Sequence, residues 1–114
     1  MTTGKYYDAC DAQHRMLMSE LAPADFKAWM TLNQIPGQDN GQIPPRTREI
    51  IAIAVAHATG CPYCIESHVT KGKKLGVTKA EVAEAVLIAA ALCAGAEAEH
   101  GGLEMKFYGE QDPA

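Results

Sequence analysis

The stretch from Pro44 to Gly60 constrains this chain more than any other. Pro44 and Pro45 precede Arg46-Thr47-Arg48-Glu49, and Ile50, Ile51, Ile53, Ala54 and Val55 then follow with hardly a polar interruption. Proline suits the entry to a helix, where the first N–H groups lack intrahelical partners, and glycine suits the exit. Being apolar nearly all round, the helix belongs at the centre of a fold.

The flanking segments carry the same punctuation. Pro62 is tolerated in a first turn, so Cys61 to Leu75 reads as a helix, with Lys71, Lys73 and Lys74 facing the negative end of its dipole and Gly76 closing it. Thr78-Lys79-Ala80-Glu81 fits a capping box, and Val82, Val86, Leu87 and Ala90 then recur at helical steps in a last helix running to about Gly95. Upstream, Met16, Leu17 and Leu21 give weak helical spacing over Asp8 to Leu21, which Pro23 ends while opening a second helix that buries Phe26 and Trp29. Residues 35–41 are dense in turn formers and link an N-terminal arm, 1–42, to a core, 43–100. No alternating strand pattern, hairpin turn or internal repeat is present. The expectation is an all-α fold of about five or six helices, one domain over the 114 residues.

Composition narrows the function. With 47% hydrophobic and 21% charged residues the chain has the make-up of a packed globular protein. A net charge of -4 offers no basic stripe for a phosphate backbone, which argues against nucleic acid. The N-terminal residues show no cationic stretch followed by an apolar run, and Val82 to Ala96 is too short and too alanine-rich to span a bilayer, so the reading is cytoplasmic with no membrane partner. Four cysteines in that reducing setting point away from a static disulfide framework and towards a catalytic or metal-binding pair.

Cys61 and Cys64 are that pair. Three residues apart at a helix N-terminus, both thiols fall on nearly one side, within reach of a reversible disulfide, and the helix end favours thiolate. His68 lies one turn beyond Cys64 on the same face, placed to take or return a thiol proton. Glu49, early in the preceding helix, reaches His68 if the two helices pack antiparallel.

Glu49, Cys61, Cys64 and His68 together form Glu-x11-Cys-x2-Cys-x3-His. In this pattern, and in the segment from Arg46 to His57 through Gly76-Val77 and the alanine-rich helix, the chain resembles the AhpD-like alkylhydroperoxidase branch of the carboxymuconolactone decarboxylase superfamily. The resemblance covers about half of the chain. It implies a thiol-dependent peroxidase needing no cofactor, with Cys64 peroxidatic, Cys61 resolving, and His68 and Glu49 in a proton relay. It also implies a hydroperoxide substrate, a dithiol reductant such as a dihydrolipoyl protein, and a homotrimer or homohexamer. The sequence departs from one well-known form of the motif, which has a histidine inside the pair where Pro62 and Tyr63 stand here.

Two other readings stand beside this one. His57, Cys61, Cys64 and His68 formally make a Cys2His2 zinc set, although all four ligands crowd into twelve residues instead of two separated pairs. A decarboxylase-like enzyme without a redox role would use His68 as base on a lactone, chemistry with no need of two cysteines. Of the remaining residues, His57 is expected to be structural, bonded to a backbone carbonyl, with His14 and His100 solvated. Cys93 reads as a small core residue, Cys10 as a surface thiol, and Met16, Met18 and Trp29 as core or interface.

Overall fold

A computed structural model describes Tyr7 and residues 10–114. The elements in chain order are α1 (Asp11–Leu21), α2 (Pro23–Leu32), a short 3-10 turn (Ile35–Gly37), α3 (Pro45–Thr59), α4 (Pro62–Lys74) and α5 (Lys79–Tyr108). Among the described residues there is no strand, and the fold is all-α as expected.

The apolar helix is central: α3 packs against α4, α5 and the 3-10 turn. Ile53 is fully buried, with Ala56 beside it on α3, Ala85 and Ala89 one turn apart on α5, and Val77 between α4 and α5. Covering Ile53 alone removes enough apolar area to contribute about 1.5–3 kcal/mol. The alanines cover less area but bring the helix axes close, which is what lets α5 lie along α3.

Two glycine-closed reversals shape the core. At the end of α3, Gly60 adopts φ 69°, the Gly60 N–H donates to His57 O and the Cys61 N–H donates to Ala56 O. These are the paired bonds of a Schellman turn, which needs a residue that tolerates the left-handed region. The same device ends α4, where Gly76 has φ 86° and the N–H groups of Gly76 and Val77 donate to Lys73 O and Gly72 O. Then α5 begins with the complete capping box: the Glu81 N–H donates to Thr78 Oγ1 at 3.1 Å, and the Thr78 N–H donates to Glu81 Oε1 at 2.9 Å. Arg46 ties the start of α3 to this corner, donating to Gly76 O and to the Glu81 carboxylate. The Thr78 N–H, and after it Arg46, hold the Glu81 carboxyl below the ordinary glutamate range.

Several expectations change. The last helix does not stop near Gly95 but continues to Tyr108. Gly95, Gly101 and Gly102 sit within it at ordinary φ, each weakening the helix without ending it, and no proline intervenes. The arm helices α1 and α2 pack chiefly on each other, so Trp29 is exposed and Phe26 only half-buried, with the two ring centroids 5.5 Å apart. Cys93 is exposed rather than core, because it lies on α5 beyond Ala89, where α3 no longer covers the helix. The start placed at Asp8 falls outside the described residues; α1 is seen from Asp11. No helix of the described residues is long and apolar enough to cross a membrane.

Candidate active site

The reversal at Gly60 delivers Cys61 directly to the head of α4. Cys61 is the N-cap, with φ −98° and ψ 99°, and its Sγ accepts the Cys64 N–H at 3.2 Å. The sulfur thereby occupies the place that a serine or aspartate oxygen takes at most helix starts. Pro62 follows at the first helical position, where its missing N–H costs nothing. Cys64 comes one turn in, its Cα 5.3 Å from that of Cys61, and the two sulfurs are joined as a disulfide.

His68 stands one further turn along α4, its side chain 15% exposed. Its Nδ1 lies 2.7 Å from Glu49 Oε2, and Glu49 is 3% exposed, the one buried charged residue among those described. A carboxyl group taken this far from water needs a polar partner, and the imidazole supplies it. With the carboxylate oxygen accepting, Nδ1 carries the hydrogen and Nε2 keeps its lone pair for another proton. The antiparallel return of α4 over α3 thus brings Glu49, Cys61, Cys64 and His68 into one cluster.

Two cavities open onto it. A cleft of about 760 Å³ between the arm and α4 is lined by both cysteines and His68, together with polar groups such as Arg15, Gln34, Gln38 and Lys71. A second cavity of about 360 Å³ lies between α3 and residues 35–43, and is mostly apolar, with Ile35, Ile43, Ile51 and Val55 in its wall. Cys64 and His68 line both cavities, whereas Cys61 lines only the first.

Tyr63, between the cysteines, is where the arm meets the core. Its hydroxyl donates to the Asp11 carboxylate at 2.6 Å, the Arg15 guanidinium lies 5.3 Å from its ring centroid, and the Tyr7 ring meets it edge-on at 6.1 Å. These arm contacts escaped the sequence reading, since nothing local in residues 7–15 marks them. Arg48 escaped it as well: it donates to Ile35 O at 2.7 Å and to Ile43 O at 3.0 Å, fastening both ends of the loop that walls the second cavity.

The zinc set does not come together. His57 is exposed on the last turn of α3 instead of being held inside the fold, and no group of three metal-ligating side chains among the described residues is disposed to hold an ion. His14 and His100 are exposed as expected; Met16 and Met18 are exposed, and Cys10 is half-buried.

A small helical protein with a Cys-x2-Cys pair at a helix start, backed by a buried glutamate bonded to a half-buried histidine, is the class that this fold and cluster define. The chain belongs to the carboxymuconolactone decarboxylase family, whose sequence model matches residues 23–102. It is 38% identical over 87 residues to uncharacterized protein 4 in the cox locus of Paracoccus denitrificans, covering 76% of this chain and 78% of that one. It is 32% identical over 68 residues to the uncharacterized protein YdfG of Bacillus subtilis strain 168, covering 60% of this chain but 45% of that longer protein. To the uncharacterized protein H16_B0147 of Cupriavidus necator it is 24% identical over 91 residues, 80% of each chain.

Proposed function

We propose that this protein is a thiol-dependent peroxidase that reduces hydroperoxides by cycling the Cys61–Cys64 disulfide. The observation that carries the reading is the bonded pair of buried Glu49 and half-buried His68, set one turn from a disulfide at the N-terminus of α4. In the reduced protein, His68 Nε2 takes the Cys64 proton. The Cys64 thiolate attacks the terminal peroxide oxygen; an S–O bond forms, the O–O bond breaks, and the departing alkoxide takes the proton from His68 as an alcohol. The Cys61 thiol then attacks the sulfenic sulfur, forming the disulfide and releasing hydroxide, which leaves as water with the Cys61 proton. A dithiol such as a dihydrolipoyl group returns the two electrons, becoming a disulfide itself. No cofactor takes part, and a reducing cytoplasm suits a cycle that starts from free thiols. A lactone decarboxylase using His68 as its base leaves the disulfide without a task.

The test is peroxide consumption by the reduced protein with dihydrolipoamide or dithiothreitol as donor, followed by peptide mapping. Catalytic turnover with a Cys61–Cys64 linkage in the oxidised state is expected. A linkage through Cys10 or Cys93 instead, or no turnover with any dithiol, overturns the reading.

The working unit is proposed to be a homo-oligomer, a trimer or a hexamer. A chain of 12.2 kDa has an accessible surface of 9248 Å², whereas a folded monomer of that mass exposes about 6,000 Å². Much of the exposed apolar surface lies on the outer part of α5, where Leu92 is 70% and Phe107 81% exposed. The difference is on the scale that obligate assemblies bury. Light scattering at micromolar concentration should give a multiple of the chain mass; a monomer mass refutes this.

A further inference from the structure

We infer that the apolar cavity between α3 and residues 35–43 is the site for the hydrocarbon part of the peroxide, reached separately from the cleft that the dithiol uses. The inference rests on the peroxidase reading and adds where each substrate meets the cluster. Three observations carry it. The cavity wall is mostly apolar, with Ile35, Ile43, Ile51 and Val55 offering an alkyl or aryl group contact area, and the Arg48 guanidinium in its lining is engaged by the carbonyls of Ile35 and Ile43. Its wall includes Cys64 and His68 but not Cys61, so a peroxide seated there meets the attacking sulfur and the base while the resolving sulfur stands outside. The other cleft exposes both sulfurs, as a reductant that must form a mixed disulfide and then release both thiols requires, and presents Arg15 and Lys71 on its rim.

Arg48 is the positioning residue of this cavity. Its guanidinium bonds to Ile35 O and Ile43 O hold the carbonyls of two wall residues, so the loop is braced at both ends against α3. The Arg48 guanidinium also lies over Gly41, so that a side chain at position 41 would have to push it aside from its loop bonds. The cavity is therefore shaped by a fastened loop rather than by a loose flap.

Two measurements test this. The first compares kcat/KM for cumene hydroperoxide and for hydrogen peroxide in Val55→Gln and Ile51→Gln, two replacements near each other on the cavity face of α3. Both should lose at least tenfold on the cumene substrate and change less than threefold on hydrogen peroxide; Arg48→Met should show the same split through the loop. Equal losses on both peroxides, or no loss on either, overturn the assignment. The second needs no turnover. Titration of the disulfide form with 2-phenyl-2-propanol, the alcohol that cumene hydroperoxide yields, should shift the methyl NMR signals of Ile43, Ile51 and Val55 and leave the rim of the other cleft unmoved. Shifts confined to the Arg15–Lys71 cleft, or none at millimolar alcohol, overturn the site even if the protein reduces peroxides by another route. A Val55→Gln protein that falls from an oligomer to single chains in light scattering marks this face as a contact between copies, and likewise overturns it. A wild-type protein that binds the alcohol here but reduces no hydroperoxide sinks the peroxidase reading while leaving the apolar site in place.

Discussion

On the proposed cycle, Cys64→Ser should abolish hydroperoxide consumption, whereas Cys61→Ser should retain one oxidation event per chain and leave a sulfenic acid that can be trapped on Cys64. This is the larger of the two main expected effects, and two features of the site pull against each other in setting it. Cys61 is the N-cap sulfur and receives the Cys64 N–H, so the field of the α4 terminus favours its thiolate. Cys64 has His68 one turn away and faces both cavities. A charge at a helix terminus gains typically about 0.3–1 kcal/mol, less than one pKa unit, while a positioned general base contributes about 10²- to 10⁴-fold in rate. In the proposed cycle the base outweighs the dipole, and Cys64 is expected to attack. Dimedone labelling of each serine variant after one equivalent of peroxide, read by mass spectrometry, decides it. A label on Cys61 in the Cys64→Ser protein, with full single-turnover consumption, reverses the assignment.

The second large effect belongs to the relay. His68→Ala in the Cys61→Ser background should slow sulfenic acid formation at neutral pH by about 10²- to 10⁴-fold, the usual worth of a general base. Glu49 acts through His68 by holding Nδ1, so Glu49→Gln should slow the step by less, and the double variant should be no slower than His68→Ala alone. The pH profile separates proton transfer from mere support. Without the base, the rate should climb towards the wild-type rate as pH rises past the ordinary thiol value of about 8.5, because the thiolate then forms unaided. A deficit of the same size at every pH would mean that His68 only keeps α3 and α4 in place. Thermal melts of Glu49→Gln guard against the same confusion, since a buried acceptor is being altered.

Recognition of the family came from the sequence because its signature lies mostly along one helix and the turn before it. The register Cys61, Cys64, His68 is a statement about a single helical face, and three- and four-residue steps suffice to read it. The helix borders were legible for the same reason. Pro45, Gly60, Pro62, Gly76 and the Thr78–Glu81 box act through backbone sterics and through bonds to residues only a few positions away, and each borders a helix where expected. Gly95 misled the reading of α5 because a lone glycine weakens a helix without compelling it to end.

What only the tertiary structure decided are the meetings of residues far apart in the chain. Glu49 with His68, Arg46 with Glu81 and Tyr63 with Asp11 are separated by 19, 35 and 52 residues. Periodicity says which face of a helix is apolar, but not which neighbour that face will meet or at what rotation. The packing of α3 against both α4 and α5, with Ile53, Ala85 and Ala89 buried, and the Gly60 turn that brings α4 back along α3 set the buried carboxylate, the braced loop at Arg48 and the two cavities. The fate of Trp29 and Cys93 was decided in the same way. Both are residues that composition sends to a core, and both are exposed because among the described residues no helix lays a partner surface over them.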